Sequence, residues 1–147
     1  MDNIRLKGGA YGGGCGFLNG NYFYMYSYRD PNVNKSYEVF KNVGNYLSEI
    51  DMDQKHLNRF IIGAVNVEDA PLKNNRINSI VLRRHYNGVT QERLDLRREE
   101  MLSVSINDIR EVGQELTTAM ENIVMSTVSD QTSIEKSELF KNIIVVK

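Results

Sequence analysis

The chain has 147 residues, 41% of them apolar and 25% charged, with a formal net charge of -1; that is enough for one compact domain with a core, and it gives no reason to expect nucleic acid or an acidic surface as partner. One cysteine, Cys15, excludes an internal disulfide and makes a reducing compartment the default. Apolar runs such as Ile143 to Val146 are far too short to span a bilayer, and the first five residues carry no stretch that could serve as a signal peptide, so no membrane association and a cytoplasmic location are expected.

Residues 8–16 hold six of the eleven glycines, and a tyrosine-rich stretch from Tyr22 to Tyr28 follows. Between them lies Asn19-Gly20, the strongest short-range signal for a two-residue hairpin turn, because both turn residues need positive φ. A β-hairpin over 12–18 and 21–28 is expected. Asp30-Pro31 then reads as a helix start, with Asp30 as cap and Pro31 at a position that needs no N–H. Val33, Tyr37, Phe40, Gly44 and Leu47 recur at helical spacing behind it. A second helix starts near Asp51 or Asp53, with Leu57, Phe60, Ile61, Ala64 and Val65 as its stripe, and breaks at Ala70-Pro71.

Ile77, Ile80 and Val81 mark a third helix, ended near Asn87-Gly88. Thr90 caps a fourth that runs to about Leu102. Ser105 with Asp108 resembles a capping box with Asp in the place of Glu or Gln, and opens a fifth helix whose one side carries Ile106, Ile109, Val112, Leu116, Ala119 and Met120. Residues 123–128 read as a strand, 131–137 as a short helix and 142–146 as a last strand. The fold class is α+β, an antiparallel sheet with helices packed on one face, in a single domain over 1–147.

Much familiar chemistry is missing. The two histidines, His56 and His85, lie in no helical metal-binding pattern, whereas a catalytic zinc needs about three clustered protein ligands. The glycines lack the terminal Gly-Lys-Ser/Thr of a phosphate-binding loop, and the order of strand and helix around them is the reverse of a dinucleotide fingerprint. They serve instead for positive φ and close backbone approach. Cys15 has no histidine near it in sequence and reads as a small buried residue. The run from Arg93 to Glu100 has charges at i,i+3 and i,i+4 spacing and reads as a solvated helix face.

Four blocks then carry a resemblance: Ile4 to Gly13 (Ile-Arg-Leu-Lys-Gly-Gly-Ala-Tyr-Gly-Gly), Ser27 to Asn32 (Ser-Tyr-Arg-Asp-Pro-Asn), Ile61-Ile62-Gly63, and Arg97 to Leu102 (Arg-Arg-Glu-Glu-Met-Leu). They fall in the order found in the last segment of presequence-protease-like members of the pitrilysin/insulinase metallopeptidase family, and the likeness runs over nearly the whole chain. The resemblance implies a mitochondrial-processing-peptidase-like metallopeptidase domain, N-terminally incomplete, from the C-terminal, zinc-free part of a peptide-degrading enzyme. In that family two halves enclose a chamber. Zinc is held in the N-terminal half by an inverted motif, H-x-x-E-H, so no cofactor is expected in this chain. The C-terminal half supplies an arginine, and a tyrosine six residues later, that hold the substrate backbone. Arg5 and Tyr11 match that pair at the same spacing. The chain has no catalytic residue of its own and alone is expected to be inactive. The implied partners are a peptide substrate and the remaining domains of the parent peptidase, with self-association a further expectation. A second reading is a stand-alone binding or assembly module of the same fold. A third is an unrelated enzyme whose glycine loop binds a small anion.

The hairpin allows one finer expectation. With Asn19 and Gly20 as the two turn residues, Phe17 faces Tyr22, Cys15 faces Tyr24, Gly13 faces Tyr26 and Tyr11 faces Tyr28. Alternation then puts the four even-numbered tyrosines with Tyr11, Cys15 and Phe17. Phe23 and Met25 lie across Gly12, Gly14 and Gly16, beneath helices. The tyrosine row is either a cavity wall able to hydrogen-bond a passing peptide or a half-buried strand face. One extra residue in a bulge would swap the faces.

Overall fold

The computed structural model describes residues 2–18 and 22–145. In chain order these form β1 (Gly12–Leu18), β2 (Tyr22–Tyr28), α1 (Val33–Lys41), α2 (Val43–Ser48), α3 (Gln54–Glu68), α4 (Asn74–Tyr86), α5 (Gln91–Leu102), α6 (Ile106–Ala119) and α7 (Gln131–Glu135), with one 3-10 turn at Met120–Asn122. The α+β class holds, with a two-stranded antiparallel sheet among the described residues. The chain divides into two compact units, residues 1–47 with 112–147 and residues 48–111, and the boundaries fall within α2 and α6.

The first unit is organised by the hairpin and α1. Ile4, Ala10 and Phe40 form its buried core, with Met25, Tyr37 and Val39 packed against them. Burying a side chain the size of Phe40 contributes roughly 1.5–3 kcal/mol, so this core is small and each member counts. A tight turn delivers Ile4 and Ala10 to it. The N–H groups of Leu6 and Lys7 donate to the Asp2 carbonyl at 3.0 and 2.9 Å, Gly9 donates to Arg5 at 3.1 Å, and Ala10 to Ile4 at 3.2 Å. Two glycines make the turn possible. A side chain on Gly8 would collide with the Ile4 carbonyl oxygen, and Gly9 takes a φ of +79°.

The hairpin register differs from the sequence expectation by one residue. Leu18 pairs with Tyr22, Phe17 with Phe23, Gly16 with Tyr24, Cys15 with Met25 and Gly14 with Tyr26. Three residues therefore connect the strands; these, 19–21, include Asn19-Gly20 and lie outside the described residues. The slip exchanges the partners. The tyrosines, not Phe23 and Met25, now share a face with Gly12, Gly14 and Gly16. A Cβ on Gly14 would stand 3.0 Å from the Tyr26 ring, and one on Gly16 3.0 Å from the Tyr24 hydroxyl. Phe23 and Met25 are half-buried on the opposite face, Met25 against the core of Ile4 and Phe40. Cys15 shares that face yet is exposed, contrary to expectation. Cover extends to Gly13, whose Cβ would lie 3.3 Å from the Ile4 side chain.

Further differences lie at the helix start and in the C-terminal part. The first helix begins at Val33, two residues after Pro31, with Asn32 in the cap position. Asp30 accepts instead from the Asn32 N–H at 2.8 Å, bracing the bend before the helix. The expected continuous stripe to Leu47 is interrupted at Asn42, between α1 and α2. Beyond it Gly44 comes so close to the Thr117 backbone that any side chain there would meet its nitrogen at 2.5 Å. Residues 123–128 and 142–145 form no strand. Burial alternates along 123–128 as a strand's would, but among the described residues no second strand supplies ladder hydrogen bonds, and Val124 and Val128 stand fully in solvent at 99% and 102% exposure. Side-chain contacts hold this tail. The Tyr37 hydroxyl donates to the Ser126 carbonyl at 2.7 Å, the Ser137 hydroxyl bonds Asn34 at 2.6 Å, and Phe140 meets Tyr37 edge-on at 5.7 Å.

The second unit follows its caps. Asp53 accepts from the His56 N–H at 2.8 Å to start α3, and Thr90 accepts from Arg93 at 3.2 Å to start α5. Gly88, at φ +64°, ends α4. The Ser105–Asp108 box closes in both directions, at 2.7 and 3.3 Å; the Ser105 N–H and the Ser105 hydroxyl, donating at 2.7 and 2.9 Å, hold the Asp108 carboxyl below its usual range. Of the expected α3 stripe, Leu57 and Val65 are buried at 2% and 9% exposure, whereas Phe60 and Ala64 are exposed. The charged run on α5 is more than a solvated face. Arg97 pairs with Glu68 at 2.7 Å, and Arg98 with Asp69. Two carboxylates at the C-terminal end of α3 oppose the helix dipole, and the α5 arginines offset them.

Candidate functional site

Two of the four sequence blocks meet in the first unit. The glycine turn of 4–13 is fastened to 27–32 by the Asn32 side-chain amide, which donates to the Gly8 carbonyl at 2.7 Å, and by the Tyr11 N–H, which donates to the Arg29 carbonyl at 3.3 Å. The Pro31 ring lies 3.4 Å from where a Gly9 side chain would start. The arrangement sets Arg5 in the turn and Tyr11 directly after it. Arg5 is exposed and among the described residues its guanidinium has no hydrogen-bond or ion-pair partner, which leaves its fork of donors open. Tyr11 is 69% exposed.

The Tyr11 ring is held by neighbours that sequence reasoning did not assign. It meets the Tyr28 ring edge-on with centroids 6.0 Å apart. The Arg29 guanidinium lies over both rings, 5.7 Å from Tyr11 and 5.4 Å from Tyr28. Arg29 adopts φ +47°, a left-handed conformation that costs an ordinary residue roughly 1–2 kcal/mol. Two exposed cation–π contacts return about 0.5–1 kcal/mol each, enough to offset that strain. The Ser-Tyr-Arg-Asp-Pro-Asn block contained this signal, but the unusual backbone that aims Arg29 at Tyr11 is not readable from residue types. Asp30, next along, is partly buried, which pushes its carboxyl up, but the Ser36 and Ser27 hydroxyls and the Asn32 N–H outweigh that and hold it below its usual value.

The rest of the tyrosine row continues along the same face. Tyr22, Tyr24, Tyr26 and Tyr28 are all exposed, and Tyr24 and Tyr26 stack at 6.2 Å with their rings 27° apart. A groove of about 700 Å³ beside the turn is lined by Lys7, Glu38 and Tyr46 among others, but by neither Arg5 nor Tyr11. These two side chains stand on an open surface.

No group of three or more His, Cys, Asp or Glu side chains able to hold a metal occurs among the described residues. His56 is tied to Asp53, its Nδ1 2.7 Å from the carboxylate, and His85 sits in the last turn of α4 against Tyr86. The donor groups of the described residues therefore form no cluster that fits a zinc site. The other two blocks lie in the second unit, Ile61-Ile62-Gly63 within α3 and Arg97 to Leu102 in α5, whose Arg97 and Arg98 pair with Glu68 and Asp69 at the end of α3.

Residues 1–132 match the sequence pattern of the PreP C-terminal domain. The chain belongs to that family. It is 34% identical over 147 residues to presequence protease 1, chloroplastic/mitochondrial, of Arabidopsis thaliana, an alignment covering 95% of this chain and 14% of the relative. It is 35% identical over 127 residues to the mitochondrial presequence protease of Saccharomyces cerevisiae, covering 82% and 12%. A Clostridium perfringens relative, protein HypA, is 29% identical over 141 residues, covering 95% and 14%. The likeness to presequence proteases read from the four blocks is borne out, and the PreP C-terminal domain chain spans 14% or less of the length of these curated relatives.

Proposed function

We propose that residues 1–147 are one non-catalytic, zinc-free C-terminal segment of a peptide-degrading metallopeptidase, which completes the substrate chamber and positions peptide backbone through Arg5 and Tyr11. The observation that carries this reading is the fastened turn, which presents an unpaired guanidinium and a braced, exposed phenol on one short stretch of a chain of this family. Arg5 would donate its fork to substrate carbonyl oxygens. Tyr11 would donate its hydroxyl to the oxyanion formed at the scissile carbonyl. Zinc would be supplied by another part of the longer protein, within a mitochondrial-processing-peptidase-like arrangement of domains. The open surface around Arg5 and Tyr11 suits a wall that faces a chamber closed from elsewhere. The proposed location is the cytoplasm; no helix among the described residues is long and apolar enough to cross a membrane.

The test has two arms. The isolated chain should hold no stoichiometric zinc and cleave no unstructured peptide; about one tightly bound zinc per chain with chelator-sensitive cleavage would overturn the proposal. In a full-length peptidase carrying this segment, Arg5→Ala and Tyr11→Phe should each lower turnover about a hundredfold or more with zinc content unchanged. Near-normal kinetics in both variants would reduce the pair to a structural role. The alternative, a stand-alone binding or assembly module that self-associates, is favoured by the full exposure of Val124 and Val128. A reading frame that encodes H-x-x-E-H ahead of this segment excludes it.

A further inference from the structure

The second unit holds a feature with no part in that reading. From Lys73 to Tyr86 the sequence contains Lys73, Arg76, Arg83 and Arg84 and no acidic residue. On a helical wheel the four cations and Ile80 fall within one face, about a quarter to a third of the circumference. That face lines a groove of about 490 Å³. Leu72, Val89 and Leu94 also line it. The acidic side chains nearest in sequence on the N-terminal side are already engaged, Glu68 with Arg97 and Asp69 with Arg98. Glu68 and Arg97 line the groove as a pair, and among the described residues Lys73, Arg76, Arg83 and Arg84 form no ion pair, so the lining carries an excess of positive charge. No residue of α4 is buried, and on this face Ile80 and Arg84 are half-buried while Lys73, Arg76 and Arg83 are exposed.

We propose that this groove is a docking site for an acidic peptide segment, one that carries two or more carboxylates interleaved with aliphatic side chains. The apolar lining asks for aliphatic groups, because cations alone would take any polyanion. Charge complementarity asks for carboxylates opposite Arg76 and Arg83, which stand two turns apart on α4. Nucleic acid is disfavoured, since no aromatic side chain lines the groove for base stacking and the chain's net charge of -1 supplies no attractive long-range field. A bilayer surface is disfavoured on the same charge argument. The occupant is a peptide distinct from whatever Arg5 and Tyr11 hold, and the groove lies within residues 48–111.

The probe is a fluorescein-labelled peptide of alternating Glu and Leu, titrated against the full chain by anisotropy, with an alternating Lys and Leu peptide as control. The acidic peptide should bind at least about tenfold more tightly, and binding should weaken on raising salt from about 50 to 500 mM as exposed charges are screened. The double variant Arg76→Glu with Arg83→Glu should lose about tenfold or more, and Arg76→Lys with Arg83→Lys should lose far less. Both side chains are exposed, so an unchanged circular dichroism spectrum and melting curve are expected and separate loss of binding from loss of fold. Equal binding of the two peptides, or indifference to charge reversal, overturns the proposal. So does tighter binding to single-stranded RNA or to phosphatidylglycerol vesicles than to the acidic peptide.

Discussion

Residues 22–28 and 123–128 both read as strands in the sequence and both alternate in burial, yet only the first becomes a strand. Tyr22–Tyr28 lies against Gly12–Leu18, three residues away along the chain, and its ladder is complete on that side. Residues 123–128 have the alternating burial of a strand, but the hydrogen bond that ties them to α1 comes from a side chain, the Tyr37 hydroxyl to the Ser126 carbonyl. A strand is a relation between two segments, since its N–H and C=O groups must be answered from outside it. Local pattern supplies half of that relation. A close partner in sequence supplies the rest at little loop-closure entropy.

Mutations can test the contrast. The largest effect is expected at the turn that seats the hairpin. Gly8→Ala drives a Cβ into the Ile4 carbonyl, a rigid backbone atom, and should cost about 1–3 kcal/mol by overpacking. Gly12→Ala, which has nothing within 4 Å of the new atom, should leave the melting curve nearly unchanged. Equal losses would mean that strand pairing, and not the turn, sets the stability of this region. A middling effect is expected at Gly14→Val, which must displace the Tyr26 ring and should cost about 1 kcal/mol. Its counterpart in the tail, Val124→Asp, should stay within about 0.5 kcal/mol while lowering the binding of a dye for apolar surface. A large loss at Val124 would show that the tail has a partner in solution.

The smallest effect concerns acid. The Asp30 carboxyl, at the exit of the hairpin, is held below its ordinary value in the folded state. Its contribution is therefore present above the ordinary carboxylate pKa, about 4, and is lost as pH falls through the lower folded value. Asp30→Asn should be less stable at neutral pH and show a flatter acid limb in thermal melts. An acid limb unchanged by the substitution would assign the pH dependence to other groups, Asp130 in the tail among them, which the Ser133 hydroxyl and N–H also hold low.

The helical part of the fold was legible because its signals are local. Asp53, Thr90, the Ser105–Asp108 box and Asn87-Gly88 each act within four residues, and each does in space what its spacing implied. The hairpin's existence was legible too, but its register was not, because one more residue in the connection reverses which side chains share a face. The tail strands failed for want of a partner, which no local pattern reports. Exposure of Cys15 could not be read, because it depends on how far Ile4 reaches along the sheet. At the site, Arg5 and Tyr11 came from resemblance. Arg29, which braces Tyr11, stood inside a quoted block, but its role depends on a left-handed backbone that residue type disfavours.

The seating of Tyr24 and Tyr26 on bare glycine backbone ties the two strands together as partners in change. A side chain introduced at Gly16 occupies the place of the Tyr24 ring tip, and one at Gly14 the place of the Tyr26 ring. Neither strand can be altered there alone. Tolerated variants of the hairpin should arrive as compensated pairs, with a small residue on one strand wherever the other carries a ring, so 14 with 26 and 16 with 24 are the position pairs at which a library should be randomised jointly.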